Sequence, residues 1–427
     1  MKRISAAKSS LRFVFASTLS LSAALSALTT QASDLRAPFD LENTKVLPPK
    51  VRNPRIKLLN MDIQERFNGD GNVEPLAQKL NKTVTWNDII NGQKTALDKT
   101  QIQGTITSLG FSNTDSPGKT SGTVNTFADV KIPVVAMGIT EKWTLAAAIP
   151  IMNVDLSAAT GFSKNDQGQA FIEDICATDV VKCNEAKDKL NNAINRKLTD
   201  NGYEPIESRT VKGIGDIRVI NKVQLANDEA YALALRSEVG LPTGTAPNVN
   251  RAVDVPTGDG QWDVGAGLTA DIKLTPELTF TTFGQYLAQL PACLERRLPV
   301  SATDSISSDK ELLLRDLGDQ VNMGTSVTNF FPKRGLTLGL GYNFQFQNKT
   351  SFEDGQFESF RYRLLENDAP LQALHSAVLA AGFSTVEWFK AKTFVLPFQA
   401  NVVYSMPFAG RNATTNSTLA AELVLFF

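Results

Sequence analysis

The sequence predicts an all-β fold, a transmembrane antiparallel β-barrel of about 12 strands with an N-terminal plug or periplasmic segment and long outer loops. Two observations predict this fold. Long stretches such as 262–273 and 335–347 alternate apolar and polar residues, which is the pattern of strands with one apolar face. After the first 32 residues, no window holds the roughly 18 consecutive apolar residues that a membrane-spanning helix needs.

The N-terminus has the pattern of a signal peptide. Basic residues, including Lys2 and Arg3, precede an apolar stretch at 13–28, and small residues follow near Ala32. Residues 1–32 are therefore predicted to be cleaved after Ala32 during export.

Residues 33–102 show no clean strand alternation and contain a short amphipathic segment near 85–97. Such a segment is either a plug inside the barrel or a periplasmic tail. The sequence does not choose between these two placements.

The strongest alternation divides 262–273 completely into two faces. One face carries Trp262, Val264, Ala266, Leu268, Ala270 and Ile272, and the other carries Asp263, Gly265, Gly267, Thr269, Asp271 and Lys273. A soluble β-sandwich also alternates, but its strands usually have about five or six residues. The greater length favours the barrel.

Residues 103–427 are predicted to form the barrel. Its twelve strands are placed near 103–113, 123–138, 143–156, 213–226, 230–241, 262–273, 278–289, 320–331, 335–347, 375–387, 391–406 and 417–427. Short polar or Pro-containing turns between them are assigned to the periplasmic side. The long connections near 157–212, 242–261, 290–319 and 348–374 are assigned to the outer side.

The connection at 157–212 is the longest outer-loop insertion and contains two of the three cysteines. Cys176 and Cys183 are separated by six residues and are predicted to form a disulfide in an oxidising compartment. Cys293 remains, and the sequence does not show whether it is free, paired across loops or reactive.

The polar faces of the predicted strands define a candidate lumen. Its charged members are Asp129, Lys131, Asp216, Arg218, Lys222, Arg236, Glu238, Asp263, Asp271 and Lys273. If the turn at 227–229 pairs residues whose numbers sum to 456, Arg218 faces Glu238 directly. Charges in a narrow lumen need partners, so this pattern fits either a polar pathway or an internal network that fills the barrel.

The composition excludes several functions. Lys plus Arg total 43 and Asp plus Glu total 44, so the chain lacks the excess of basic residues that is typical of nucleic-acid-binding proteins. The single histidine, His375, excludes any site that needs two His ligands. No catalytic residue, metal site or cofactor is predicted, and the chain is not expected to be an enzyme.

The last strand ends in an apolar stripe whose final member is the C-terminal Phe427. A terminal Phe in this setting resembles the signal by which outer-membrane barrels are recognised for insertion. We therefore expect a Gram-negative outer membrane location, with outer-membrane lipid and the barrel-assembly machinery as partners. The sequence leaves the oligomeric state unknown.

Short blocks rich in glycine and turn residues carry a family resemblance. They are GITEKWTL at 138–145, GIGDI at 213–217 and GLPTG at 240–244, with a weaker match, PFAGRN, at 407–412. The chain resembles the outer-membrane proteins named for the meta-pathway of phenol degradation. It is similar, more distantly, to the fatty-acid and aromatic-hydrocarbon channels.

This resemblance implies a porin-like uptake channel or transporter for small, hydrophobic or aromatic solutes. The insertion at 157–212 departs from the family pattern. The alternative is a structural or surface-interaction barrel with a closed lumen. A conductance measurement would distinguish the channel from the closed barrel, because only the channel has a continuous path past residues 33–102.

Overall fold

The computed structural model describes residues 40–427, with the exception of residues 94, 179, 303, 304 and 354. The predicted signal peptide, residues 1–32, lies outside the described residues, as do residues 33–39.

Within the described part, the chain forms twenty strands and seven α-helices. The strands are β1 Arg52–Ile63, β2 Glu65–Phe67, β3 Val73–Pro75, β4 Thr83–Val84, β5 Gly118–Thr140, β6 Trp143–Ala148, β7 Ile151–Lys164, β8 Arg209–Ile214, β9 Ile217–Asn227, β10 Tyr231–Leu241, β11 Asp263–Lys273, β12 Leu278–Gln289, β13 Ala292–Arg297, β14 Lys310–Asp316, β15 Gln320–Phe331, β16 Leu336–Gln347, β17 Ser351–Glu353, β18 Gln372–Ser384, β19 Phe398–Arg411 and β20 Thr418–Leu425. The helices are α1 Trp86–Asn91, α2 Ala96–Ser108, α3 Asp166–Thr178, α4 Val180–Asn191, α5 Ala193–Asp200, α6 Ser359–Asp368 and α7 Val386–Lys390.

The strands close into an antiparallel barrel. Its ring order is β1-β20-β19-β18-β16-β15-β12-β11-β10-β9-β6-β5, and β5 pairs with β1 to complete the circle. β7 continues β6 after an interruption at 149–150, and β8 precedes β9 before one at 215–216. The predicted antiparallel barrel of about 12 strands is confirmed, with twelve ring positions among the described residues.

The predicted first strand at 103–113 is wrong. Those residues lie in α2 and the turn after it, where Ile102 and Ile106 place two buried side chains on one helix face. The first barrel strand is β1, which lies inside the segment that was expected to precede the barrel. The wall therefore begins at residue 52 and not at residue 103.

The two ends of the barrel have different connections. We call the end with the short connections the lower end; its connections are 141–142, 228–230, 274–277, 332–335 and 385–397, and it also holds the C-terminus. We call the other end the upper end; its connections are 64–117, 165–208, 242–262, 290–319, 348–371 and 412–417. This alternation follows the short and long connections that the sequence predicted.

The upper end carries a folded cap built from α1 to α5. Trp86 of α1 is 1% exposed and packs against Phe171 of α3, with ring centroids 4.8 Å apart. The same cluster includes Ile106 and Leu198, and it covers the inner faces of β5 and β7 through Val124 and residues near it. The insertion thus shares one hydrophobic core with α1, α2 and the barrel wall.

The predicted disulfide between Cys176 and Cys183 is confirmed and joins α3 to α4. Cys293 lies in β13, in a second small sheet formed with β14 and β17, and its thiol is free and exposed. Both features belong to the upper end.

The outer surface of the barrel carries an apolar belt. Leu340 and Leu379, on neighbouring strands, are 59% and 54% exposed. Aromatic residues lie near the strand ends, with Trp143 and Tyr231 toward the lower end and Trp262 toward the upper end. An exposed apolar band with aromatic borders is typical of barrels that lie in a membrane. As for helices, none among the described residues has the length and apolar character to cross a membrane.

Candidate functional site

A continuous cavity of about 1910 Å³ occupies the barrel lumen. Thr257 and Asp259 border it at the upper end, and Pro397 and Phe427 border it at the lower end. The cavity therefore has lining residues from the upper loops to the lower mouth, and residues 40–49 and 51 are among them. It is the natural place for any function that involves a solute.

The lumen wall has two chemically different sides. The apolar side forms one buried cluster along β5, β7, β1, β20, β19 and β18; its members include Leu59, Met61, Val130, Ile132, Val134, Met152, Val378 and Val403. The opposite side, along β9 to β16, presents Arg218, Lys222, Arg236, Glu238, Asp271, Gln285, Asn322 and Asn343 to the cavity. Arg55, Lys57 and Glu422 add a charged group on β1 and β20, so the lumen combines an apolar cluster with charged groups at two places on its wall.

Eight of the ten predicted lumen residues border the cavity. They are Asp216, Arg218, Lys222, Arg236, Glu238, Asp263, Asp271 and Lys273. Asp216 and Asp263 lie near the upper end, and Lys273 lies at the lower mouth, where its Nζ donates to the carbonyl oxygen of Asp228 at 2.6 Å. The other five form the middle of the polar side.

Asp129 and Lys131 were expected in the lumen, and this prediction is wrong. Both lie on the outer face of β5, because Val130 and Ile132 between and beside them are buried on the inner face. Asp129 is in register with Asn60 of β1, which is exposed and also faces outward. The alternation of β5 was read correctly, but its polar face was assigned to the wrong side.

The predicted register between β9 and β10 is also wrong. Arg218 is opposite Gly240 and not Glu238, because the turn lies further along the chain than predicted, so that paired residue numbers next to it sum to 459. One extra residue near Leu225 then lowers the sum to 458. Arg218 still approaches Glu238 diagonally, with Nη1 and Oε1 3.4 Å apart. The ion pair exists, but its geometry differs from the direct opposition that the sequence predicted.

Residues 40–51 enter the cavity from the lower end and form what we call the lumen segment. Three consecutive side chains reach three sectors of the ring. Asp40 contacts Lys57 of β1, with Oδ2 and Nζ 2.5 Å apart. Glu42 contacts Arg236 of β10, and Leu41 lies against β16. The segment therefore spans the lumen as well as lining it.

Further hydrogen bonds hold the lumen segment in place. The backbone N–H and the hydroxyl of Thr44 both donate to Oδ2 of Asp271, at 3.0 and 2.6 Å. The N–H of Leu47 donates to the hydroxyl of Thr144 at 2.7 Å. Lys222 donates to the carbonyl oxygen of Asn43 at 2.7 Å. Backbone and side-chain groups of the segment are thus bound to the wall.

Glycines make room for the lumen segment. A Cβ atom added at Gly339 would lie 2.5 Å from Cδ1 of Leu41, and one added at Gly138 would lie 2.0 Å from the carbonyl oxygen of Pro48. A glycine within a strand often marks a site where another part of the chain approaches closely. Both glycines have that role here.

The sequence did not show whether residues 33–102 form a plug or a periplasmic tail. In the structure, different parts of the described segment lie in different places. Residues 40–51 lie in the lumen, β1 is part of the wall, and the helices near 85–108 belong to the cap. Sequence reasoning missed Arg55 and Lys57 as lumen residues. Their signal was present, since they alternate with the exposed Ile56 and Leu58.

Two of the blocks that carried the family resemblance, 213–217 and 240–244, build a corner at the upper end, whereas the block 138–145 forms the turn between β5 and β6 at the lower end. The hydroxyl of Thr243 donates to the carbonyl oxygen of Gly215 at 2.9 Å, and the N–H of Gly244 donates to Oδ1 of Asp216 at 2.9 Å. A Cβ atom at Gly244 would meet the backbone of Gly258 at 2.6 Å. These residues act by joining the loop 242–262 to the wall.

His375 lies on the outer face of β18, among aromatic side chains. Its Nδ1 is 2.7 Å from the hydroxyl of Tyr342, and its ring lies 4.8 Å from that of Phe344. The neighbouring Ser376 is buried on the opposite, luminal face. No group of three His, Cys, Asp or Glu residues among those the structure describes is arranged to hold a metal ion.

The closed antiparallel barrel, with its apolar belt and occupied lumen, has the fold of an outer-membrane channel. It is similar to the structure of the COG4313 outer membrane channel from Pseudomonas putida F1, with a TM-score of 0.52, 11% identity, and coverage of 91% of this chain and 100% of that chain. This similarity shows the fold.

Weaker similarities link the chain to the Ralstonia pickettii toluene transporter TbuX and to a Pseudomonas aeruginosa FadL homologue. The first has a TM-score of 0.35 and 8% identity over 93% of this chain and 97% of that chain. The second has a TM-score of 0.31 and 9% identity over 89% and 90%. No protein-family profile and no curated protein sequence matches the chain, so the resemblance to the phenol meta-pathway family stays a prediction.

Proposed function

We propose that the chain is an outer-membrane channel for small solutes and that the lumen segment occludes it. The observation that carries this proposal is the continuous cavity, with residues 40–51 bound across it. A barrel whose only role is structural needs no such cavity. The apolar belt supports a membrane location for the barrel, as does the fold similarity.

The two sides of the lumen favour solutes with an apolar body. The cluster around Val130, Ile132 and Met152 offers apolar contact along the path, while the polar side fixes orientation. Small hydrophobic or aromatic solutes fit this arrangement. The predicted partners, namely outer-membrane lipid, the barrel-assembly machinery and small solutes, belong to the same proposal.

The second candidate function is a structural or surface-interaction barrel with a closed lumen. The ion pairs of Asp40 and Glu42 favour it, because they fill the lumen with satisfied charges. The folded cap also offers a surface for a partner outside the cell. The two candidates differ in whether the lumen segment can be displaced.

A reversible lock tests this difference. Thr44→Cys with Asp271→Cys places two thiols where a side-chain hydrogen bond of 2.6 Å now joins the segment to β11. In planar bilayers, the oxidised double variant should be silent, and the same channels should conduct after a reductant is added. The wild-type protein receives the same reductant as a control, because it contains the Cys176–Cys183 disulfide. Channels that conduct equally when locked would contradict the proposal.

A further inference from the structure

Two groups of wall charges lie next to the lumen segment, one on β1 and β20 and one on β9 and β10, and each group holds more cations than carboxylates. Arg55 and Lys57 share one wall carboxylate, Glu422, with separations of 3.6 and 3.5 Å. Across the lumen, Arg218 and Arg236 both bind Glu238. Lys222 is a further cation there.

The lumen segment supplies the missing negative charges. Asp40 binds Lys57, and Glu42 lies between Arg236 and Lys222, with its Oε2 3.7 Å from the Lys222 Nζ. Five wall cations in these two groups thus face two wall carboxylates and two segment carboxylates. With the segment in place, Lys57 is only 8% exposed. Withdrawing the segment removes two of the four carboxylates that face these cations, which favours the entry of another anion.

An apolar recess lies between the two basic groups. Leu41 fills it above Gly339 and Gly341, whose added Cβ atoms would lie 2.5 and 2.9 Å from its methyl carbons. Leu41 also packs against the apolar cluster of the lumen. The segment thus presents carboxylate, hydrocarbon and carboxylate in succession, and each group has a matching place on the wall.

We propose that this part of the wall is a binding site for small carboxylates with an apolar body, and that residues 40–42 occupy it as an internal mimic. The planar guanidinium of Arg236 suits a carboxylate, and the recess over Gly339 and Gly341 suits a hydrocarbon or aromatic group. The proposal deepens the proposed channel function by naming the solute class, and its use in transport rests on that function.

The test measures binding by the full mature chain in detergent micelles. The probes are 4-fluorobenzoate and its neutral counterpart 4-fluorobenzyl alcohol, both followed by fluorine NMR line broadening against protein-free micelles. The variant Asp40→Asn with Glu42→Gln removes the competing carboxylates and keeps their shape. We expect it to bind 4-fluorobenzoate at least about tenfold more tightly than the wild type, which corresponds to one competing ion pair. Binding of the alcohol should change little.

Two more variants test whether the gain in 4-fluorobenzoate binding depends on the lumen wall. Adding Arg236→Gln to the double variant should remove the gain for 4-fluorobenzoate, whereas adding Lys131→Gln, on the outer face of β5, should leave it. Glu42→Gln alone serves if the double variant fails to show heat-modifiable gel mobility. Equal responses to acid and alcohol in every variant would overturn the proposal, as would acid binding that does not depend on Arg236.

The binding measurement tests the carboxylate site independently of the channel function. Acid binding without conductance in any unlocked variant would reject the channel and support the site. Conductance without preferential acid binding would reject the site and support the channel.

Discussion

Glu42 and Arg236 meet across the lumen, with a segment carboxylate accepting a hydrogen bond from a wall guanidinium. Arg236 also donates two hydrogen bonds to Glu238, at 2.7 and 3.1 Å, which fixes its orientation on β10. The contact joins a part of the chain that precedes the barrel to the middle of its wall. It is one of the contacts that hold the lumen segment across the lumen.

Removing the charge of Glu42 should loosen the lumen segment. In Glu42→Gln, the hydrogen bond from Arg236 loses its negatively charged acceptor, at a cost of about 1 kcal/mol to the seated state. Single-channel recording should then show more frequent openings than in the wild type. Glu229→Gln, which changes an exposed carboxylate in the β9–β10 turn, is the control. Identical opening frequencies for Glu42→Gln and the wild type would contradict this prediction.

A methyl group at Gly138 should lift the segment from the wall where it enters the lumen. The added Cβ atom would lie 2.0 Å from the Pro48 carbonyl oxygen and 2.6 Å from that of Leu47, so backbone must move. We expect Gly138→Ala to increase conductance and protease cleavage near residues 47–48. In Gly284→Ala the nearest atom is 3.9 Å away, so that variant should behave as the wild type. Equal behaviour of both variants would show that close contact at Gly138 does not seat the segment.

Two adjacent arginines of β13 should differ in their effects on the upper loops. The guanidinium of Arg297 donates five hydrogen bonds, to Val249, Asn201, Ser307, Gly202 and Asn250, whereas Nε and Nη2 of Arg296 have no partner among the described residues. Burial and the neighbouring charge of Arg315 lower the pKa of Arg296 to about 9. The charged form of Arg296 therefore opposes folding at neutral pH, and this effect decreases only as the pH rises above about 9.

Hydrogen exchange over residues 290–319 can measure this difference. Arg297→Met should increase exchange strongly, because it leaves several carbonyl oxygens unsatisfied. Arg296→Met should leave exchange unchanged or reduce it, because it removes a poorly compensated buried charge. The opposite order would contradict the assignment.

Phe427 should act in membrane assembly more than in stability. Its backbone N–H and carbonyl oxygen both bond to Arg52, at 3.0 and 2.9 Å, and Phe427→Ala keeps both bonds while it removes the side chain. If the side chain is the insertion signal, Phe427→Ala should lower the yield of assembled barrel in cells several-fold, with refolding in detergent unchanged. The adjacent Phe426→Ala is the matched control. An unchanged cellular yield for Phe427→Ala would show that the Phe427 side chain is not the insertion signal.

The strands predicted most accurately from the sequence are those with one face toward lipid and the other toward a polar lumen. β11 and β16 have this character, and their predicted bounds lie within about one residue of the observed ones. β1 was missed because Asn60 and Asp62 are polar on its outer face, which interrupts the alternation. A strand that extends beyond the apolar belt loses the pattern by which it would be recognised.

The sequence could not assign the faces of β5. Its apolar face packs against Leu59 and Met152 inside the barrel, so the charged face is turned outward. Alternation alone does not state which side is inside, because that depends on what fills the lumen. The bulge near Leu225 was hidden for a similar reason, since an extra residue leaves no mark in composition.

The lumen segment was the least predictable part of the site. Asp40, Leu41 and Glu42 carry no periodicity. Lys57 is 17 residues from Asp40, and Gly339 and Arg236 are far away in sequence from Leu41 and Glu42. Only the closed ring brings these residues together. The plug and the tail therefore could not be distinguished before the fold was known.

The central claim is that residues 40–51 occlude a channel. The most direct measurement is the single-channel conductance of the mature protein and of a variant that lacks residues 33–47 but keeps β1, both shown to be folded by heat-modifiable gel mobility. The account predicts a small or intermittent conductance for the full chain and a large, steady one for the deletion variant. Silence in both folded forms would contradict the channel and favour the structural barrel.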